Sequence, residues 1–291
     1  MQGIILKGVG GNYEVMEDKT GKIYTLTPRG RFRKEKISPL PGDHVEFTGD
    51  EKNMSFEKIL PRKNELVRPA AANITQVFLV FAMKDPDINY DLVYSFLLML
   101  ELKDIKPVII FNKADLSDSI KKEELENIFS NTGYDIHFIS ARNEESRDEL
   151  LPLLQDEVTV LAGPSGAGKS TLLNTLLGEE VMETGEVSQK IGRGRHTTRH
   201  TRLIPYMGGL IADTPGFSSL EGEKMDPQDL KDYFPEFRKY EGECRYRGCS
   251  HYREPDCKVR EMVGKTISES RYSFYTRTFE RLKEEEKRKW D

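Results

Sequence analysis

The order of its nucleotide-binding motifs constrains the fold of this 291-residue chain more than any single motif does. Asn112-Lys113-Ala114-Asp115 and Ser140-Ala141 come first. The glycine-rich run Gly163-Pro164-Ser165-Gly166-Ala167-Gly168-Lys169-Ser170-Thr171 follows, and Asp213-Thr214-Pro215-Gly216 comes last. In the ordinary arrangement the phosphate-binding loop leads and the base-reading tetrapeptide comes near the end. Here the same parts are rotated, as if the usual termini had been joined and the chain reopened after Gly216. The set predicts a circularly permuted α/β nucleotide-binding domain.

The pattern along the chain supports a multidomain protein. Ile4-Ile5-Leu6, Tyr13-Glu14-Val15, Ile23 to Leu26 and His44 to Phe47 are short strands, separated by Gly10-Gly11, Lys19-Thr20-Gly21 and Pro41-Gly42-Asp43. Short strands at near-regular spacing predict a small barrel over residues 1–66. A five-stranded OB-type β-barrel fits this length best, with an SH3-like barrel as the alternative. Leu66-Val67-Arg68-Pro69 is the expected linker. Residues 67–221 then alternate strands (Gln76 to Ala82, Pro107 to Phe111, Asp135 to Ile139, Val158 to Ala162) with helices (Leu92 to Leu102, Lys121 to Phe129). This alternation predicts a parallel sheet covered on both faces, with ligands beyond the carboxyl ends of its strands. Arg202 to Tyr206 and Leu210 to Ala212 read as a hairpin feeding Asp213. Residues 222–291 form a polar, cysteine-bearing, mostly helical module ending in a charge-rich helix from Glu280 to Lys289.

The glycine-rich run follows a strand and opens a helix that Gly178 ends, which is the context a P-loop requires. Its glycines let the N–H groups of residues 165–170 wrap phosphate, helped by the positive end of the helix. Lys169 would place a cation between the β- and γ-phosphates, and the Ser170 hydroxyl would bind Mg²⁺. The base is chosen elsewhere. A carboxylate at Asp115 accepts two hydrogen bonds from guanine N1–H and N2–H, whereas adenine would leave it unpaired. Buried polar mismatches of this kind discriminate by several powers of ten. Ser140-Ala141 would add a backbone N–H to guanine O6. The expectation is GTP, not ATP, and a GTP hydrolase.

Asp213 would hold Mg²⁺ through water, and the Gly216 N–H would sense the γ-phosphate. The loop Gly192 to Arg199 lies where the first switch belongs, and either Thr197 or Thr198 would complete the Mg²⁺ shell. In Ras-like enzymes the residue after the switch glycine is a glutamine that orients the attacking water. Here it is Phe217, which can neither donate nor accept a hydrogen bond. Slow unaided hydrolysis follows, with His196 as the candidate catalytic group beside Lys169; His196 touching RNA or solvent is the equal alternative.

All three cysteines lie in Cys244-x4-Cys249-x-His251-x5-Cys257. Clustered thiols and an imidazole point to metal before disulfide, and Cys3His is a standard closed zinc set. Tyr246, Gly248, Pro255 and the flanking arginines suggest a loop without an apolar core. One structural zinc is therefore expected to supply the folding energy of the stretch.

The net charge of −5 weakly opposes nucleic-acid binding, but the distribution is uneven. Lys190 to Arg202 carries Lys190, Arg193, Arg195, Arg199 and Arg202 with His196 and His200 and no acid. Arg29 to Lys36 has Arg29, Arg31, Arg33, Lys34 and Lys36 against Glu35 alone. Such patches set the field a phosphate backbone meets. No apolar run approaches the roughly 20 residues of a membrane helix, and the opening lacks a signal peptide's pattern. A cytoplasmic monomer without membrane contact is expected.

With barrel, permuted P-loop GTPase and Cys3His module in this order, the chain closely resembles the bacterial small ribosomal subunit biogenesis GTPase family, RsgA. The resemblance spans essentially the full length. It rests on Asn112 to Asp115, Gly163 to Thr171, Gly192 to Thr198, Asp213 to Phe217 and the zinc set. It implies a factor that binds the immature small subunit and its ribosomal RNA late in assembly. Its GTPase would be slow alone and stimulated by that subunit, with hydrolysis accompanying release. Two rivals differ in class: a GTP-regulated switch on the large subunit or another RNA, and a nucleotide-dependent kinase with a small substrate. The guanine-reading set disfavours the kinase. Reopening after Gly216 also joins the second switch directly to the zinc module.

Overall fold

The computed structural model describes residues 1–29, 32, 38–49, 54–67, 70–178, 201–213 and 225–288. Five strands close the front barrel in the order β1-β2-β3-β5-β4: β1 Gln2–Val9, β2 Asn12–Glu17, β3 Ile23–Pro28, β4 His44–Thr48 and β5 Ser55–Ile59. Closure runs through a parallel β3–β5 pair and an antiparallel β1–β4 pair, the OB-type arrangement and not the SH3-like one. Alternation decides what points inward. Ile5, Val15, Leu26, Val45, Phe47 and Phe56 fill the barrel with Phe32. Of the front basic run, Arg29 pairs with Glu57 at 2.6 Å; Arg31, Arg33, Lys34 and Lys36 lie outside the described residues.

The expected linker is itself a small hairpin of β6 Glu65–Val67 and β7 Ala70–Ala72. It clamps the barrel. The Ala72 N–H donates to the Pro41 carbonyl at 2.8 Å, and Asn73 Nδ2 donates to the Gly42 carbonyl at 2.8 Å. Gly42 has φ +91°, and a Cβ there would collide with the Ala72 carbonyl.

The central sheet has six strands in the order β10-β9-β8-β11-β13-β12. They are β8 Gln76–Ala82, β9 Lys106–Asn112, β10 Asp135–Phe138, β11 Val158–Ala162, β12 Ile204–Tyr206 and β13 Gly209–Asp213. All neighbouring pairs are parallel except the β12–β13 hairpin at the edge. Successive residues of the inner strands feed opposite cores. Val77, Leu79 and Phe81 of β8 face the side of α1 Tyr90–Leu102 and α2 Ser119–Phe129. Phe78 and Val80 face the side of α3 Glu144–Leu150 and α4 Lys169–Leu177. Asn89 and Asp118 cap α1 and α2 by accepting the Leu92 and Lys121 N–H groups.

Barrel and sheet are joined by an irregularity in β1. The β1–β2 register slips between Ile5 and Lys7, and the Leu6 carbonyl accepts the Leu203 N–H at 2.9 Å. A β-bulge re-aims a strand in this way. Ile4 and Leu6 consequently pack into the core shared with Leu203 and Leu210, while Ile5 stays in the barrel.

Residues 225–288 contain two 3-10 turns, Pro227–Tyr233 and Pro235–Tyr240, the short helix α5 Lys258–Glu261 and the long helix α6 Glu269–Lys287. The polar cysteine loop is flanked on both sides in sequence by residues of an apolar core. Leu230, Phe234, Phe237, Val259, Ile267, Tyr275 and Phe279 are buried in continuity with the α1 face of the sheet. The charge-rich end seen in the sequence is the outer part of α6, whose inner face buries Phe274, Tyr275, Phe279 and Leu282. No helix among the described residues is long and apolar enough to cross a membrane.

Candidate functional site

The strands β8, β9, β10, β11 and β13 run parallel, so their carboxyl ends share one edge. The sequence motifs converge there. Asn112 ends β9, is 3% exposed, and ties two loops together. Its Nδ2 donates to the Ala167 carbonyl of the phosphate loop at 2.8 Å, and its Oδ1 accepts the Ala141 N–H at 2.8 Å. Asn112 therefore fixes the distance between the Gly163–Thr171 loop and the Ser140-Ala141 loop. A β-carbon on Gly168, which has φ +93°, would run into the Asn112 amide, so only glycine allows this approach. Gly163 is equally constrained by the Val80 carbonyl.

The side formed by residues 112–115 and 140–141 is braced from several directions. Lys113 adopts the left-handed conformation at φ +59°, and its ammonium donates to the Asp85 carbonyl. The Ala114 N–H donates to the Ile139 carbonyl at 3.0 Å, leaving the Asp115 carboxylate exposed at the mouth. Ser146 Oγ donates to the Ser140 carbonyl at 2.8 Å and accepts its N–H at 3.2 Å. Thr175 Oγ1, from α4, donates to the Ala141 carbonyl at 2.6 Å. Because the Ala141 N–H is engaged by Asn112, a base oxygen arriving there would have to share it.

In the phosphate loop, Ser165 and Gly166 are exposed while Ala167 is buried. Lys169 Nζ donates to the Gly163 and Pro164 carbonyls at 3.0 and 2.9 Å. A phosphate in the loop would offer that ammonium better, charged acceptors. Ser170 and Thr171 begin α4. The β13 backbone places Asp213 opposite Leu161, one residue from the end of β11. Gly216, Phe217, His196, Thr197 and Thr198 lie outside the described residues.

The second cluster is Cys244, Cys249, His251 and Cys257, whose ligand atoms lie within 4.8 Å of one another. Cys244 Sγ is 3.6 Å from His251 Nδ1, Cys257 Sγ is 3.5 Å from it, and the two sulfurs are 3.9 Å apart. Tetrahedral zinc with Zn–S of about 2.3 Å and Zn–N of about 2.0 Å sets edges of about 3.8 Å between sulfurs and about 3.5 Å between sulfur and nitrogen. The residues fit. Burial pushes the Cys249 thiol up to about 12 and also raises Cys257, while it lowers His251 toward its neutral, ligating form. Thiolates at these positions need a cation, which zinc would supply as it closes the loop.

Glu254, which the sequence did not single out, organises this loop. It accepts from the Ser250 N–H and hydroxyl at 2.8 and 2.6 Å and from the Tyr252 and Arg253 N–H groups at 3.0 and 3.1 Å. Burial alone would raise its carboxyl, but the Ser250 and backbone hydrogen bonds outweigh that and hold it at about 2. Since aromatic packing and not metal alone holds the module, chelation is expected to have a local effect. Amide exchange should accelerate about tenfold or more across 244–257, with α1 and residues 270–282 unchanged. Exchange accelerating equally in α6 would mean that the metal holds the whole module.

The permuted order, the P-loop and the guanine-reading edge define the class: a circularly permuted GTPase with an OB-type barrel in front and a Cys3His module behind. The RsgA GTPase family model matches residues 59–223, and the RsgA N-terminal domain model matches residues 2–56. Small ribosomal subunit biogenesis GTPase RsgA of Clostridium novyi (strain NT) is 44% identical over 292 residues, covering 100% of both chains. The protein of the same name from Clostridium botulinum (strain Loch Maree / Type A3) is 45% identical with the same coverage. The crystal structure of YjeQ from Thermotoga maritima aligns with a TM-score of 0.81 and 35% identity over 97% of this chain and 98% of that one. YloQ, described as a circularly permuted GTPase, gives a TM-score of 0.81 and 35% identity over 98% and 95%. The chain belongs to the RsgA GTPase family.

Proposed function

We propose that this GTPase binds the immature small ribosomal subunit through its ribosomal RNA late in assembly, hydrolyses GTP faster there, and leaves on hydrolysis. The observation that carries the nucleotide part is the Asn112 side chain, which joins the phosphate loop to the Ser140-Ala141 loop at one sheet edge. The subunit is suggested by the names of full-length relatives at 44% and 45% identity. The division of labour is 1–66 for an RNA-binding barrel, 67–221 for the GTPase and 222–291 for the zinc module. The chain acts as a cytoplasmic monomer.

At the site, Asp115 reads guanine N1–H and N2–H, with Asn112, Lys113, Ala114, Ser140 and Ala141 framing the base. Residues Gly163 to Thr171 wrap the phosphates, and Lys169 turns from its two carbonyls to the β- and γ-oxygens. Ser170, Asp213 and one of Thr197 and Thr198 would hold Mg²⁺, which neutralises charge developing between those phosphates. Gly216 contacts the γ-phosphate. With Phe217 unable to orient water, His196 is the group we assign to that task, delivered when the subunit engages. Cys244, Cys249, His251 and Cys257 hold one zinc.

Co-sedimentation with separated ribosomal subunits tests the reading. Binding to the small subunit should be at least about tenfold tighter with a non-hydrolysable GTP analogue than with GDP, a coupling of about 1.4 kcal/mol. In the same mixtures, His196→Ala should bind GTP normally yet lose most of the stimulated phosphate release. Preference for the large subunit, or equal binding with both nucleotides, would overturn the proposal; unchanged stimulated release would remove His196 from it.

A further inference from the structure

A cavity of about 510 Å³ opens over the Cys3His cluster, with Cys244, Cys249 and His251 in its wall, so a zinc ion would form part of its inner surface. Its size falls in the range of about 300–1,000 Å³ typical of small-ligand sites. Its aromatic lining is the Phe237 ring, buried and edge-on to the His251 ring at 5.7 Å, and Tyr246, 46% exposed. The Arg245 guanidinium lies 5.6 Å from the Tyr246 ring centre and pairs with Asp256 at 2.7 Å.

Two of the cations around the opening, Lys231 and Arg238, are held in place. Lys231 Nζ is anchored by the Cys249 carbonyl at 3.1 Å. Arg238 is held by Glu101 at 3.2 Å and by the Asp232 carbonyl at 3.3 Å, yet its side chain remains 60% exposed. Arg247 lies on the lip, with no ion pair among the described residues. Two carboxylates, Asp232 and Glu241, share the same rim. Both lips carry glycines of positive φ, Gly242 at +80° and Gly248 at +74°, and a β-carbon on either would meet nothing within 4 Å. Backbone there leaves room for close approach.

Mixed signs argue against a simple anion site, and the charged rim argues against an apolar peptide. An aromatic wall, fixed cations and carboxylate acceptors together match one chemical unit. A nucleobase stacks on an aromatic face, its amino group donates to a carboxylate, and its phosphates meet the cations. We infer that this cavity takes one unstacked, amino-bearing nucleotide of single-stranded RNA, with Tyr246 as the stacking surface. The inference deepens the RNA-binding reading given above and rests on it.

The test uses the full chain loaded with zinc. Fluorescence anisotropy compares a short oligoadenylate with an abasic ribose-phosphate oligomer of equal length and charge. Wild type should prefer the oligoadenylate, and Tyr246→Ala should lose at least about fivefold of that preference, as one stacked base implies. Zinc content and unstimulated GTP hydrolysis should not change, since Tyr246 is exposed and remote from the P-loop. Arg247→Gln should weaken both ligands alike and flatten the salt dependence by about 0.7 in the log–log slope, one phosphate contact on a single strand. Tyr246→Ala retaining the full preference would overturn the cavity assignment, as would wild type ignoring both oligomers. Neither result touches the ribosomal reading, which co-sedimentation decides separately.

Discussion

Asp115→Asn is expected to lower GTP affinity about 10³-fold and to make xanthosine triphosphate the better ligand. The exposed carboxylate at the end of the braced Lys113-Ala114 turn can accept two N–H donors but donate none. Asparagine keeps one acceptor and adds a donor, which faces the guanine amino group and leaves it unpaired. Xanthine presents a carbonyl where guanine has that amino group, so the same amide then pairs twice. Mismatches at buried polar contacts carry penalties of about this size. Calorimetric titration with both nucleotides measures it. A variant that still favours GTP would show that Asp115 does not read the base, and the guanine assignment would fall with it.

The second large effect lies far from the nucleotide. Arg271 of α6 and Glu236 are 3% and 2% exposed in their side chains and pair at 2.5 and 3.0 Å. The guanidinium also lies 5.4 Å from the ring centres of Tyr94 and Phe234, 5.9 Å from Phe129 and 5.7 Å from Tyr134. Burial opposes its charge, but the Glu236 carboxylate more than compensates and raises the arginine above its ordinary value. Arg271→Met should therefore destabilise the docked module by about 3–5 kcal/mol, because it strands a buried carboxylate. Glu236→Leu combined with Arg271→Met should lie within about 1 kcal/mol of wild type, since apolar replacements of similar volume restore a satisfied core. Urea unfolding followed through α6 reads the difference. If the double variant is as unstable as the single, the pair contributes net stability in its own right.

Around this pair the module is fastened to the base-reading half of the GTPase. Tyr94 and Ser270 share a hydrogen bond at 2.6 Å, Arg277 meets Asp91 at 2.5 Å, and Lys239 donates to Asn131 at 2.9 Å. Their GTPase partners sit on α1 and just beyond α2, so the module is carried with the elements that lead into the Asn112–Asp115 edge.

Much of the site was legible because its chemistry is local. A P-loop, an Asn-Lys-x-Asp run and a Cys3His set each fit within a few residues, and their rotated order gave the permutation. The barrel was legible through its turns. What sequence could not show depends on partners distant in the chain. Arg271 reads as an ordinary exposed helix residue until Tyr94, Phe129, Tyr134 and Glu236 are brought around it. Glu254 differs: its four donors lie within four residues, but only the folded turn of the loop aims them at one carboxylate. The module's aromatic core escaped notice because Phe234, Phe237, Tyr275 and Phe279 lack a single helical or strand period. Their burial comes from two short turns meeting one helix.

The slipped register at Leu6 limits how the barrel can be studied in isolation. Cutting away the first 60 or so residues would strand the Leu203 amide and wet the greasy patch around Leu203 and Leu210. A shortened protein that failed to recognise ribosomes would then report damage at Leu203, four residues past the Gly192 to Arg199 loop, as much as loss of the barrel itself. Point changes on the barrel's outer rim are the cleaner probe.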